Sequence, residues 1–253
     1  MSELLRENER IDDLQWGGLK IIQSPDSFRF GLDAVLLADF AVVRPGSRVC
    51  DLGTGTGILP LLLWGREKEI TCDGVEIQKD AADRAQRTMR LNGLSHRIAI
   101  HNRDLKEIRA FLPHAGYDLV ICNPPYSPRD SALMSPNPAL SAARTEGKCT
   151  LLDVIRAAAY LVKGRGRFVF MLPASRFLEA CDELRSCRME PKRLRLVHGA
   201  AVRPARLALI DASRDVRPGL SILPPLIVKT SEGNDTEEIK QIYNHSRACR
   251  PAP

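Results

Sequence analysis

From residue 47 onward, short apolar runs alternate with segments whose apolar residues recur at helical spacing. Residues 48–52, 70–76, 98–101, 117–122 and 167–172 read as strands, each apolar along most of its length. Between them, a helix starts at 58–64 and another covers 78–91, with Ala81, Ala82, Ala85 and Met89 on one face and Asn92-Gly93 as its stop. A short helix follows at 105–112, then helices at 151–162 and 175–187, the last with Ser175 in an N-cap position. Strands that alternate with helices form a parallel, doubly wound sheet, and ligands of such sheets bind beyond the carboxyl ends of the strands.

Two later runs, 194–198 and 207–211, lie too close together for a helix between them. They predict an antiparallel hairpin at the sheet edge. The expected architecture is therefore an α/β fold whose mostly parallel, seven-stranded, Rossmann-like sheet ends in an antiparallel C-terminal hairpin. Residues 220–229, interrupted by Pro224-Pro225, suit an edge strand or irregular cover, and 236–245 suit a last helix. Ahead of the sheet, 14–24 reads as a short hairpin around Gly17-Gly18, and 32–42 as a helix. The one long irregular stretch is 127–149, a length that marks a functional or disordered loop. No repeat or long linker divides the chain. A single domain over 1–253 is expected, with an N-terminal hairpin and helix (1–46), a core (47–228) and a C-terminal helix and tail (229–253).

Composition adds little to the fold but narrows the setting. Of 253 residues, 44% are hydrophobic and 5% aromatic, so the core must be built from Leu, Val, Ile and Ala. Net charge is +6, and the stretch 185–217 alone carries nine Lys/Arg against three acids. Such a surface permits a polyanionic partner. Seven cysteines form no C-x-x-C pair, and Cys50, Cys72 and Cys122 fall inside apolar strands as core filler. With a charged N-terminus and no bilayer-length apolar run, a reduced cytoplasm is expected. The five histidines are scattered, so no metal site is expected.

The chemistry begins behind the first sheet strand, at Asp51-Leu52-Gly53-Thr54-Gly55-Thr56-Gly57. Glycines there allow a tight turn and close approach to a ligand. The spacing is G-x-G-x-G, not the G-x-G-x-x-G of a pyrophosphate loop, and no Gly-Lys-Ser/Thr follows. Acids stand at three successive strand ends: Asp51, Glu76 and Asp104. Carboxylates repel phosphates but suit an amine, a ribose diol and an adenine amino group. S-adenosyl-L-methionine (SAM) carries all three and no phosphate. On this reading Glu76, with Ile77 beside it, takes the ribose hydroxyls. Asp104, with the Leu105 backbone, takes the adenine amine, and Asp51 faces the methionine ammonium.

Some 70 residues further on, the strand 117–122 runs into Asn123-Pro124-Pro125-Tyr126. Proline cannot extend a ladder and holds its predecessor extended, so this is a rigid loop at a carboxyl edge. It displays one side-chain amide, one free carbonyl and one aromatic ring, a set that suits a planar ring bearing an amino group.

With D-x-G-x-G-x-G, an acid after the second strand and Asn-Pro-Pro-Tyr after the fourth, the chain resembles the Rossmann-like, class I SAM-dependent methyltransferases over about 28–213. The resemblance implies methylation of an amino group of adenine, cytosine or a glutamine amide. Asn123, Pro124, Pro125 and Tyr126 would be catalytic, and Asp51, Gly53, Thr54, Gly55, Gly57, Glu76, Ile77, Asp104, Leu105 and Asn123 would hold the cofactor. More narrowly, Phe28-Arg29-Phe30-Gly31-Leu32-Asp33, Ala143-Arg144 with Glu146, and Leu223-Pro224-Pro225-Leu226 look similar to bacterial tRNA adenine-N6 methyltransferases. Those act on adenine 37 of a valine tRNA, which implies a tRNA partner. Arg29, Arg144, Arg203 and Arg206 are the candidates for substrate contacts.

Three other readings share the core motif. A ribosomal-RNA amino methyltransferase is not excluded by any local feature. A protein glutamine methylator would ordinarily carry a helical domain ahead of a first sheet strand that here begins near residue 48. A SAM-fold RNA-binding module without chemistry would have no need of an intact Asn123-Pro124-Pro125-Tyr126.

Overall fold

The computed structural model describes residues 4–24, 31–124 and 149–245. Five parallel strands form its centre: β3 (Arg48–Leu52), β4 (Thr71–Glu76), β5 (Ile98–Asn102), β6 (Tyr117–Cys122) and β7 (Val162–Pro173). The antiparallel hairpin is β8 (Met189–Ala200) and β9 (Ala205–Arg214). β9 lies between β7 and β8, so β8 runs in the same direction as the parallel strands. All seven expected strands are present. Two short ones, β10 (Ser221–Ile222) and β11 (Leu226–Lys229), pair in parallel with β8 and cover the edge that the hairpin would otherwise expose.

Helices cover both faces. α1 (Leu32–Phe40), α2 (Ile58–Arg66), α3 (Lys79–Leu91) and α6 (Glu237–His245) bury Leu36, Leu37, Leu61, Leu63, Met89 and Ile239 against Val49, Ile121 and Leu209 of the sheet. α4 (Leu151–Leu161) and α5 (Phe177–Ser186) bury Ile155, Leu161 and Leu184 against the opposite face, around Val120, Phe168 and Phe170. Successive strand residues feed opposite faces, as the two-residue strand period requires. Cys50, Cys72 and Cys122 are buried free thiols, and burial pushes all three well above the ordinary thiol range.

Two local expectations change. The N-terminal hairpin is made by β1 (Arg10–Asp13) and β2 (Lys20–Gln23), so its first strand precedes residue 14. Arg-Ile-Asp-Asp is too polar to show as a strand. It is held from outside, where Glu9 accepts hydrogen bonds from Arg87 (2.7 Å) and Arg84 (3.1 Å) on α3. The Arg87 guanidinium is the main force that holds the Glu9 carboxyl down at about 2. Ser175 does not cap a helix: residues 174–176 form a 3-10 turn and α5 begins at Phe177 without a side-chain cap. A full capping box opens α4 instead. There Asp153 N–H donates to Thr150 Oγ1 (3.1 Å) and Thr150 N–H to Asp153 Oδ2 (2.9 Å).

Candidate active site at the carboxyl edge

Strand register brings the scattered motifs into one row. Leu52 pairs with Val75 on one side and Cys122 on the other, and Glu76 pairs with Asn102. The residues that leave the sheet, Asn123, Gly53 and Glu76, are therefore neighbours, with Asp104 two residues past Asn102. At about 4.8 Å per strand, the row from Asn123 to the β5 end spans about 15 Å.

Gly53, Gly55 and Gly57 all have positive φ, at 75°, 56° and 84°. That region disfavours residues with a Cβ. A Cβ on Gly57 would also come within 2.6 Å of Met89 Cε, so this glycine lets α2 pack on α3. Around Gly53 and Gly55 the space is open, and the loop presents bare backbone there. β4 passes close behind: a Cβ on Gly74 would meet Thr54 at 3.0 Å.

Asp51 is wholly buried, and among the described residues neither carboxylate oxygen has a hydrogen-bond partner. Burial, with the nearby Glu76 charge, raises its carboxyl to about 7; the Thr54 hydroxyl offsets part of this without reaching hydrogen-bond geometry. Thr54 Oγ1 is likewise buried and unpartnered. Buried polar atoms are normally satisfied, so these three atoms point to a ligand that brings a donor. A cationic amine meets that need.

Glu76 is held from two sides. Its Oε2 accepts Gly55 N–H (2.9 Å) and its Oε1 accepts Gln78 N–H (2.8 Å). Each oxygen keeps acceptor capacity for a further hydroxyl. Burial raises the Glu76 carboxyl above its usual range, and the Gln78 and Gly55 amides partly offset it. Beside it Ile77 is 53% exposed, an apolar surface fit for a flat ring. Asp104 caps the 3-10 turn Leu105–Ala110 by accepting Lys106 N–H (2.9 Å), and Leu105 packs partly buried beneath it. Sequence reasoning missed Asn102. Its side-chain amide donates to the carbonyls of Glu76 (2.9 Å) and Ile77 (3.0 Å) and so fixes the turn that carries both.

Asn123 and Pro124 follow β6 directly and are half-buried. Pro125, Tyr126, Arg29 and Arg144 lie outside the described residues. Arg203 and Arg206 are exposed where β8 turns into β9, at this same edge. The structure also trims the basic stretch. Arg185 pairs with Glu190, Arg188 and Arg214 with Asp215, Arg193 with Asp211, and Arg195 with Glu238. Of the nine cations, Arg203 and Arg206 are the two at the carboxyl edge that make no ion pair among the described residues. Asp33, at the start of α1, lies within electrostatic range of Arg206, although burial raises the Asp33 carboxyl overall. Among the described residues no group of three or more His, Cys, Asp or Glu could hold a metal ion, and no helix is long and apolar enough to cross a membrane.

Comparison with known proteins fits this edge. Residues 31–135 match the methyltransferase small domain family. A tRNA1(Val) (adenine(37)-N6)-methyltransferase from Tolumonas auensis is 32% identical over 186 residues, which cover 68% of this chain and 74% of that protein. The enzyme of the same name from Yersinia pseudotuberculosis is 32% identical over 148 residues, 58% of each chain. Among solved structures, a predicted O-methyltransferase from Agrobacterium tumefaciens superposes with a TM-score of 0.69 at 22% identity, covering 87% of this chain and 100% of that one. The ribosomal protein L11 methylase of Lactobacillus delbrueckii subsp. bulgaricus gives 0.51 at 20% identity, over 72% and 77%. These two show the fold; the Tolumonas relative shows the family. The chain is an enzyme of the SAM-dependent methyltransferases, in the family that includes the tRNA1(Val) (adenine(37)-N6)-methyltransferases.

Proposed function

We propose that this enzyme transfers a methyl group from SAM to N6 of adenine 37 in the anticodon loop of a valine tRNA. The observation that carries the chemistry is the register Leu52–Cys122. It puts Asn123, the residue after Cys122, next to Gly53, the first glycine of the loop that follows Asp51. The choice of adenine and of this tRNA rests on the 32% identical relatives.

Bound SAM would supply a methyl group on a positively charged sulfur. Asp51 would meet the methionine ammonium and Glu76 the ribose hydroxyls, with Gly53, Thr54, Gly55 and Gly57 giving backbone access. Ile77, Asp104 and Leu105 would frame the adenine of the cofactor. At the other end of the row, an adenine N6 lone pair is delocalised into its ring and attacks poorly. The Asn123 side-chain oxygen and the Pro124 carbonyl would each accept one N6–H. Together they draw the nitrogen toward a tetrahedral shape and aim its lone pair at the methyl group. Tyr126 would stack on the ring, and Pro125 would keep the loop rigid. Transfer would form the N–C bond as the C–S bond breaks, with one N6 proton passing to solvent. Positioning and fixed dipoles supply the rate gain, and no metal or covalent intermediate is required.

The adenine must leave its stack to enter this site, and an anticodon loop lowers that cost because its bases are already partly splayed. Arg29, Arg144, Arg203 and Arg206 would contact phosphates. We read 1–253 as one catalytic domain working on tRNA in the cytoplasm. The test is labelled methyl transfer onto unmodified total tRNA, with a valine tRNA transcript alongside and nuclease digestion with mass spectrometry to locate the methyl group. N6-methyladenosine at position 37 supports the reading. Label on ribosomal RNA or on a protein glutamine would replace it.

A further inference from the structure

The hairpin of β8 and β9 is longer than its apolar runs at both ends, and at the turn end it rises past the edge of the parallel strands. Level with Cys122, where β6 leaves the sheet, stand Phe170, Ile210 and Leu194 on β7, β9 and β8. β8 runs six residues further, to Ala200, and β9 starts five residues beyond Ile210, at Ala205. At about 3.3 Å per residue, the hairpin stands roughly 16–20 Å above the edge that holds Asn123. It is braced along its outer side by β11, which pairs with β8 as far as Ala200. The turn is fixed internally, with Arg203 N–H on the Ala200 carbonyl (3.0 Å) and His198 Nδ1 at 2.7 Å from the Arg203 carbonyl.

At the tip of this rigid arm is an apolar side chain, Val202, 94% exposed. Arg203 is next to it. Arg206 is the extra residue of a bulge, because His198 pairs with Ala205 and Val197 with Leu207. Bulges of this kind re-aim a side chain beside an active site. A lone exposed valine is ordinary on a protein surface. This one is followed closely by two cations, Arg203 and Arg206, that make no ion pair among the described residues, on a braced arm above the reactive edge. Such a tip fits a partner with an anionic backbone and apolar flat faces. A β-branched residue also has little rotamer freedom to lose on insertion.

Building on the function proposed above, we propose that Val202 is a wedge: it enters the stack of the RNA substrate and fills the space left when the target base turns out toward Asn123. Arg203 and Arg206 grip neighbouring phosphates. Apolar side chains driven between bases serve this purpose in other nucleic-acid complexes, and they offset the cost of unstacking.

The test compares kcat/KM for wild type and Val202→Ser on two RNAs. One is the folded valine tRNA transcript, the other an unstructured heptanucleotide centred on the same adenine. The wedge predicts a loss of about tenfold on the transcript and a loss several times smaller on the heptanucleotide, where no stack has to be opened. Val202→Ile should recover most of the transcript activity. Equal losses on the two RNAs, or no loss on the transcript, would overturn the wedge while leaving the proposed function standing. Failure of the wild type to methylate either RNA would overturn both. Thermal unfolding of Val202→Ser should match wild type, so that any loss is read as function.

Discussion

Two carboxylates, Asp51 and Asp211, are equally lost to solvent and are treated in opposite ways. Asp211, on β9, accepts a hydrogen bond from Arg167 Nε at 2.6 Å and lies 3.2 Å from Arg193 Nη1. Burial still raises its carboxyl, but the two guanidiniums offset much of that rise. Asp51, on β3, has no partner for either oxygen. One carboxylate is answered by the protein; the other is not answered by any described residue. The contrast separates the antiparallel side of the sheet, where this buried charge is paired, from the parallel centre, where Asp51 and Thr54 keep buried polar atoms without a partner among the described residues.

The first test of this contrast is on the structural side. Asp211→Ala leaves the partly exposed guanidiniums of Arg167 and Arg193 without their shared acceptor, and should lower unfolding free energy by about 2–3 kcal/mol in a urea titration. A loss below about 1 kcal/mol would show that the pair is not structural.

Asp51 should give the opposite sign of response. Its folded carboxyl is raised to about 7 from an ordinary value near 4, so the folded state holds that proton more tightly than the unfolded chain. The associated stability is present in full below pH 4 and is lost as pH rises toward 7, by up to about 4 kcal/mol. Urea midpoints of the SAM-free protein should therefore fall between pH 5 and pH 8, and Asp51→Asn should make that fall smaller, leaving the part due to the raised Glu76, Asp33 and Asp211 carboxyls. Glu9, held down near 2, acts only in more acid solution and does not confuse this window. A midpoint independent of pH in the wild type would contradict the assignment.

Asn123→Ala divides the edge itself. SAM affinity should stay within about threefold by calorimetry, while single-turnover methyl transfer falls by about 10²–10³, the usual cost of losing one fixed acceptor or donor in such a site. Glu76→Ala should act at the other end of the row, weakening SAM by roughly tenfold to a hundredfold through the loss of the ribose acceptor. Unchanged SAM binding in that variant would remove Glu76 from the cofactor site.

What could be read from the residues follows the same division. The glycine loop was legible because positive φ at Gly53, Gly55 and Gly57 leaves little choice of residue. The central strands β3 and β6 were legible because burial on both faces makes them apolar along most of their length. The hairpin was seen only at its apolar middle. Its ends, Met189 to Arg193 and Ala212 to Arg214, carry charges whose partners lie on other elements: Asp211 for Arg193, and the carbonyls of Ala159 and Val162 for Arg214. Pairing across the fold cannot be seen in local spacing. The +6 of residues 185–217 overstates the free charge for the same reason, since five of those nine cations are committed to ion pairs. Asn102 was overlooked because its effect runs entirely through backbone carbonyls two strand ends away from the chemistry.

The most direct test of the account is made on RNA from cells with and without this gene, by purifying the valine tRNA and identifying the nucleoside at position 37 by mass spectrometry. The account predicts N6-methyladenosine when the gene is present, adenosine when it is deleted, and no rescue by the Asn123→Ala variant. The same modified nucleoside in both strains, or full rescue by Asn123→Ala, would contradict it.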